Sequence, residues 1–371
     1  ALPICILTHH YVKNFGAFMQ AYALTNVIKE IVPNSRVEII DYRVKKHEIM
    51  NSLHFFGFKP KRGDTFCGYI DKVCLFFKHY KYEITLPRSK RVYTANDINF
   101  IGYDLIIVGA DEVWNFKDVA YDSIKFGYGL KGTLISYSAC AGGSSDDSII
   151  PNEIKEGIKN FKAISVRDKD SEKLVNVICK NQFDVMRTLD PIFLYDYNLK
   201  IKSKIVKIVK AKRYILIYDC HLTELQIKNI IEFAKKNDLN ILGAGEYRKW
   251  YTSVQTENIS PFEWAFLFKN AWGVITGTFH GTSFAIKYNR NFVSFLTEKN
   301  RISKVESLLD ELALLKQAVY KENEKDLIPI LCNPVDYSVV NKLLNKKIND
   351  SKDYLKRSIL KEGKMTNGQC M

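Results

Sequence analysis

Residues 103–115 read Tyr-Asp-Leu-Ile-Ile-Val-Gly-Ala-Asp-Glu-Val-Trp-Asn. The run from Tyr103 to Gly109 is apolar along its length instead of alternating. That is the pattern of a strand buried on both faces, and such strands belong to parallel sheets covered by helices. A glycine and two acidic residues follow at once, so the strand ends in a polar loop.

The same pattern recurs on both sides. Ile4 to Thr8 is a short apolar run. Beyond a polar loop, Ala17, Ala21, Leu24, Val27, Ile28 and Ile31 repeat at helical spacing. Arg36 to Tyr42, Thr133 to Ser138 and Ala163 to Val166 are further strand candidates, and Asp168 opens a helix to about Ile178. A second series starts near Arg213, with strands at Tyr214–Tyr218, Asn240–Leu242, Trp272–Thr276 and Phe292–Phe295. Its helices are expected at Leu222–Lys236, from Pro261 after the capping box Ser260-Pro261-Phe262-Glu263, and at Thr282–Tyr288. Alternating strands and helices imply an α/β fold with parallel sheets. The expected division is a domain over 1–200, with an aromatic and basic insertion at 43–100, and a second domain over 201–330. The lysine-rich stretch Leu199–Lys212 is the expected hinge. A tail at 331–371, helical from Ser338 to Lys361, is expected to pack back toward the first domain.

The chain has 371 residues, more than one core usually organises. Its composition is that of a soluble globular protein, and no apolar run reaches the roughly 20 residues of a membrane span. No secretory signal is evident. The eight cysteines are scattered without a C-x-x-C pair, which reads as reduced thiols of a cytoplasmic protein and not as a zinc site or disulfide frame. A net charge of +14 favours anionic partners such as phosphorylated substrates or an acidic membrane face, although a lysine-rich solvated surface is an equal reading. No nucleic-acid motif is present.

In parallel α/β sheets ligands bind beyond the carboxyl ends of the strands. Four stretches put unusual residues there: Thr8 to Gly16, Gly109 to Asn115, Ser165 to Asp168, and Thr276 to Thr282. In the last, His280 stands at or just before a helix start, a natural anion site, with Gly277 and Gly281 permitting close approach and Thr278 and Thr282 offering hydroxyls. A histidine capping a packed turn is the alternative. Arg167 offers a planar fork for phosphate or carboxylate, against a surface ion pair with Asp168 or Asp170. Asp111 serves a ligand or a turn. Trp114 is a core residue in preference to a sugar platform. His9, His10 and Lys13 either bind an anion or lie in a solvated loop. The sequence has no G-x-G-x-x-G, P-loop, H-E-x-x-H or G-x-S-x-G motif, which argues against nicotinamide, P-loop nucleotide, zinc-peptidase and α/β-hydrolase chemistry. No metal is expected.

Taken together, these stretches resemble the polysaccharide pyruvyl transferase family. Asn14-Phe15-Gly16-Ala17-Phe18-Met19-Gln20-Ala21-Tyr22-Ala23-Leu24 is similar to its N-Y-G-A-x-L-Q-A-Y-A-L signature. Residues 103–115 resemble its Y-D-x-x-I-x-G-S-D-Q-V-W-N block, with Ala110 and Glu112 in place of Ser and Gln. Ser165-Val166-Arg167-Asp168, Asp190-Pro191 and Phe279-His280-Gly281-Thr282 match further elements, so that ordered blocks run from Ile4 to about Leu309.

The resemblance implies two Rossmann-like domains of the glycosyltransferase-B type with the active site in their cleft. It implies transfer of pyruvate from phosphoenolpyruvate, as substrate and without a cofactor, onto a sugar as a cyclic ketal. His280 is then the acid/base, and Arg167 a donor ligand with Thr278 and Gly281. Many members carry arginine two residues before the histidine. Here Thr278 holds that position, and Arg301, Arg290 or Lys13 is expected to compensate. Asn14, Asp111 and Lys13 are candidates for acceptor binding or loop shaping. By the same resemblance the acceptor is a lipid-linked oligosaccharide, with a cytoplasmic location and peripheral contact of the 43–100 segment with an anionic membrane. A helical subdomain with buried aromatics is the other expectation for that segment. Two further readings stay open: a nucleotide-sugar glycosyltransferase of the same architecture, and a non-catalytic member that binds glycan.

Overall fold

The computed structural model describes residues 3–56, 66–144, 149–253, 256–321 and 326–365. They form two compact units, one of residues 1–51, 83–196 and 344–371, the other of residues 52–82 and 197–343.

The first unit is built on strands β1 (Pro3–Leu7), β2 (Arg36–Tyr42), β3 (Arg88–Val92), β4 (Leu105–Val108), β5 (Thr133–Ser136) and β6 (Phe161–Ala163). All are parallel, in the order β3-β2-β1-β4-β5-β6. Every residue of β4 is buried, as its unbroken apolar run requires. Helices α1 (Phe15–Ile31), α2 (Lys45–Phe56), α3 (Phe66–Glu83), α4 (Ala95–Ile101), α5 (Asn152–Ile158) and α6 (Lys169–Cys179) lie between or after these strands in the chain. Trp114 is a core residue: it is fully buried and stacks on Phe126 with Phe161 at its edge. The expected strand at 163–166 is two strands, because β7 (Ser165–Val166) leaves β6 to pair with β8 (Met186–Arg187).

The second unit holds α7 (Lys204–Ala211), α8 (Glu224–Lys236), α9 (Pro261–Asn270), α10 (Phe279–Lys287), α11 (Lys299–Glu311) and α12 (Ile328–Cys332). Its strands are β9 (Tyr214–Tyr218), β10 (Asn240–Gly243), β11 (Gly273–Thr276), β12 (Asn291–Leu296) and β13 (Ala318–Tyr320), all parallel in the order β10-β9-β11-β12-β13. In both sheets the order reverses beside the first strand, between β1 and β4 and between β9 and β11. Ligands of such sheets bind at that reversal, beyond the carboxyl ends.

Two segments differ from their sequence reading. The 43–100 stretch is not one insertion. Its last part supplies edge strand β3 and helix α4 of the first unit, while residues 52–82 group with the second. Within it Phe77 and Tyr80 are exposed and Phe76 and Tyr82 half-buried; the side chains of Phe55, Phe56, Phe58, Phe66 and Tyr69 lie outside the description. The expected hinge contains α7, capped by the Ser203 side chain on the Ile205 N–H, with Ile205 buried. The tail is α13 (Tyr337–Met365), and its residues from 344 onward group with the first unit. There Tyr354 donates to the Ser136 carbonyl at 2.9 Å, and Leu355 and Ile359 are fully buried.

Candidate active site

In the first unit the three sequence stretches converge at the carboxyl edge of the sheet. The ladder that brings them together runs past the end of the regular strands. Asp111 bridges Ala139, Ala139 bridges Val166, and Val166 pairs with Arg187 in β8. Asp111 stands on that ladder, Arg167 follows Val166 and Asp190 lies three residues beyond Arg187, and the three side chains meet. Arg167 Nη1 lies 3.1 Å from Asp190 Oδ2 and 3.5 Å from Asp111 Oδ1. The Arg167 side chain keeps only 2% of its surface and that of Asp190 none, whereas Asp111 keeps 17%. Arg167 is thus a buried guanidinium between two carboxylates from other elements, not a surface residue. Asp168 caps α6, accepting from the Ser171 N–H at 2.9 Å.

Asp111 adopts a left-handed backbone, with φ at 72°. Asp is among the few residues that tolerate this region. Gly109, two residues earlier, has φ at 132°, and a Cβ there would collide with the Tyr137 carbonyl. The β4 loop is therefore pressed against β5, which aims Asp111 back at Arg167.

The polar side chains of the loop after β1 are engaged within the protein instead of lying in a solvated loop. Thr8 donates to the Ala110 carbonyl at 3.1 Å and so ties the β1 loop to the β4 loop. Gln20 of α1 donates to Thr8 Oγ1 at 3.0 Å. Asn14 is the N-cap of α1, accepting from the Ala17 N–H at 3.2 Å, which fixes the loop's exit. His10 is buried against Asp41 at 3.0 Å and His9 against Lys125 at 2.7 Å. Lys13 pairs with Glu83 at 2.7 Å.

In the second unit His280 lies within the first turn of α10, which starts three residues earlier than its sequence reading. The cap is Thr278, whose hydroxyl accepts from the Gly281 N–H at 3.0 Å. A side chain at this N-cap holds the helix start, and the helix end in turn sets a positive potential around His280. Gly277 and Gly281 answer a need of the fold. A Cβ on Gly281 would run into the Thr276 hydroxyl, and one on Gly277 would meet the Asp219 carbonyl at 2.7 Å. Thr282 is engaged with Ser294 at 2.7 Å.

Of the three cations considered for the Thr278 position, Arg301 reaches this loop. Its Nη1 lies 3.0 Å from Asp219 Oδ2 and 3.4 Å from the Gly277 carbonyl, and its Nε 3.0 Å from Glu298 Oε2. Arg290 points to the opposite edge, with its guanidinium on the carbonyls of Tyr288 and Ala271 before β12 and β11 begin. Lys13 belongs to the first unit.

The sequence pattern of the polysaccharide pyruvyl transferases matches residues 14–299. The chain belongs to the polysaccharide pyruvyl transferase family. No curated protein sequence matches it. Among solved structures, UDP-GlcNAc 2-epimerase from Neisseria meningitidis bound to UDP-GlcNAc superposes with a TM-score of 0.54 at 9% identity, over 97% of this chain and all of that one. Arabidopsis thaliana UGT89C1 gives 0.51 at 10% identity, over 97% and 99%. Identity this low bears on fold alone, and the fold is glycosyltransferase-B-like, with two Rossmann-like units.

In this family member the signature residues have physical explanations. The glutamine of the first block braces the β1 loop, the glycine of the second lets β4 approach β5, and the glycine after His280 makes room for Thr276. Asp219, the partner of Arg301, is reached by the same strand-end rule as the other stretches: it directly follows the apolar run Tyr214–Tyr218. His221 and Glu298 join it, 3.3 Å apart. Among the described residues no cluster of three or more His, Cys, Asp or Glu side chains suits a metal ion, and no helix is long and apolar enough to cross a membrane.

Proposed function

We propose that the chain transfers the pyruvyl group of phosphoenolpyruvate to a sugar of a lipid-linked oligosaccharide, forming a cyclic ketal for a cell-surface polysaccharide. Family membership over residues 14–299 carries this reading. His280, on the first turn of α10 at the reversal point of its sheet, is its acid/base. Arg301 stands beside that turn as the cation serving the position that Thr278 leaves uncharged. Arg167 is the donor ligand of the first unit. Asp111, the longer and more exposed of its two carboxylate contacts, is the one an incoming anion displaces.

The chemistry assigns each group a task. C3 of the enol takes a proton, which makes C2 electrophilic. One sugar hydroxyl adds to C2, phosphate departs, and a second hydroxyl closes the ketal. One of the two hydroxyl protons replaces that given to C3 and the other leaves with phosphate. A histidine changes charge near neutral pH and can serve in both directions. Arginines hold the phosphate and carboxylate through paired N–H groups.

A lipid-linked acceptor implies work at a membrane face. Phe77 and Tyr80 on α3, 62% and 50% exposed, support peripheral contact there. Sedimentation with anionic liposomes tests it: no binding, or binding unchanged in Phe77→Ser, removes this part.

The decisive assay is phosphate release from phosphoenolpyruvate with and without lipid-linked saccharide. Acceptor-dependent release that His280→Ala abolishes supports the proposal. Sugar transfer from a nucleotide donor with no phosphate release replaces it with the glycosyltransferase reading.

A further inference from the structure

The first unit contains a buried group of titratable side chains that the scheme above does not use. Lys125 follows the β4 loop in a short turn, Ser123–Phe126, and is 1% exposed. Its amine contacts the Ala120 carbonyl at 2.7 Å and His9 Nε2 at 2.7 Å. Among the described residues no carboxylate lies within ion-pair distance of it. Asp122 is engaged by the Tyr42 hydroxyl and the Ile124 N–H, and Asp118 by the Ala120 N–H. His9 stacks at a tilt on His47, ring centres 5.6 Å apart, and His47 Nδ1 meets the Tyr11 hydroxyl at 3.0 Å.

An amine in such a place costs several kcal/mol unless compensated, and a methionine would fill the same space without that cost. A buried base without a carboxylate partner, placed beside a strand-end loop, is a candidate for function. The location agrees. His9 is the second residue beyond β1, in the loop that Thr8 ties to the β4 loop, at the point where the sheet order reverses. His9 keeps 7% of its surface, and its Nδ1 makes no hydrogen bond to a described residue.

We propose that His9 and Lys125 form a proton relay that deprotonates the acceptor sugar. The inference rests on the pyruvyl-transfer reading and extends it to the acceptor. In the resting pair the Lys125 amine is neutral and accepts the His9 Nε2 proton in a hydrogen bond, which leaves a lone pair at Nδ1. As the sugar oxygen bonds to C2, its O–H bond breaks and the proton passes to Nδ1. The Nε2 proton moves to the amine, which becomes ammonium. The pair returns to rest when Nδ1 gives up a proton to the departing phosphate and Nε2 recovers its own from Lys125. His9 is the residue that meets substrate; Lys125 acts through it.

The surrounding charges are consistent with one shared proton. Burial, the largest influence, brings the Lys125 amine down to about 7 against the opposing pull of Asp122 and Asp118. Burial lowers His9 further, with Lys125, His47 and His10 acting in the same direction. Burial and Lys125 also lower His47, against Asp118. Arg43, Glu48 and Asp118 face Tyr11. Two positive charges 2.7 Å apart in a buried site are excluded, so protonation of Lys125 and of His9 are alternatives.

The test uses the full chain carrying ¹⁵N-histidine. Ring-nitrogen spectra across pH 5.5–9 report the His9 tautomer, assigned with His9→Gln. Steady-state kinetics with phosphoenolpyruvate and lipid-linked saccharide report turnover. The relay predicts a tautomer change of His9 near neutrality that Lys125→Met abolishes. It also predicts a kcat lowered roughly 10²-fold in Lys125→Met and in His9→Gln, with KM for phosphoenolpyruvate unchanged. Lys125→Arg, fixed as a donor, should not rescue turnover. Retention of kcat and its pH profile by both Lys125→Met and His9→Gln, beside an active wild type, overturns the relay alone. Failure of the wild type to form any ketal overturns the pyruvyl reading, and the relay's role with it.

Discussion

Replacing Asp190 by alanine should weaken the first unit far more than the same change at Asp111, although both carboxylates touch one guanidinium. Asp190 is fully buried and 3.1 Å from Arg167 Nη1, while Asp111 is partly exposed and 3.5 Å away. Removing one partner of a buried pair strands the other charge, at about 3–5 kcal/mol. A partly solvated, longer contact is worth about 1 kcal/mol or less. Asp190 also caps the turn Pro191–Phe193 by accepting from the Ile192 N–H at 3.1 Å. Asp190→Asn keeps that acceptor and loses the charge, so it separates the two contributions and should fall between wild type and Asp190→Ala. Hydrogen–deuterium exchange of the peptides covering 133–141 and 161–190 reads the opening energy of this unit directly. At about tenfold per 1.4 kcal/mol, exchange there should accelerate roughly a hundred- to a few thousand-fold in Asp190→Ala, and about fivefold or less in Asp111→Ala. Equal effects of the two substitutions, or less than tenfold for Asp190→Ala, would refute the reading of Arg167 as a charge held chiefly by Asp190.

Further outcomes follow from the second unit and from Lys125. Thr278→Ala removes the cap of α10 and should cost about 1 kcal/mol, seen as a lowered Tm; Thr278→Ser should restore it. Gly281→Ala forces a methyl against the Thr276 hydroxyl and should cost about 1–3 kcal/mol, only partly relieved in the double variant with Thr276→Ala, because the Thr276 Cβ at 2.9 Å and the Thr278 hydroxyl at 2.8 Å remain. Unfolded lysine holds its proton up to about pH 10.4, whereas buried Lys125 releases it at about 7. Between these values the unfolded chain binds more protons, so this residue makes stability rise with pH, by at most about 1.4 kcal/mol per unit. Urea unfolding at pH 7, 8 and 9 should show a shallower rise in Lys125→Met than in wild type; parallel curves would contradict the assignment.

What the sequence discloses is what local pattern determines. β4 and β9 are unbroken apolar runs, and their burial on both faces follows from that alone. The same rule leads to His280, because a strand end marks where a parallel sheet binds. β3 reads Arg-Ser-Lys-Arg-Val and carries no apolar signal; it is a strand because β2 offers it an edge. α7 was hidden by its lysines, though Ile205, Val206, Ile208 and Val209 recur at helical spacing between them. The partners of Arg167 lie 56 and 23 residues away and meet it through a ladder of single bridges that no local pattern announces. Lys125, in Ser-Ile-Lys-Phe, looks like any surface lysine until packing encloses it.

The central claim is that this chain makes a ketal from phosphoenolpyruvate. The most direct measurement is mass spectrometry of lipid-linked saccharides, extracted from the producing cell and incubated in D₂O with phosphoenolpyruvate and the protein. The account predicts a product heavier by one pyruvyl ketal, with one deuterium in its methyl group from protonation at C3, and none with His280→Ala. Saccharide recovered unchanged from the wild-type reaction, or extended by a sugar once a nucleotide-sugar is added, would contradict it.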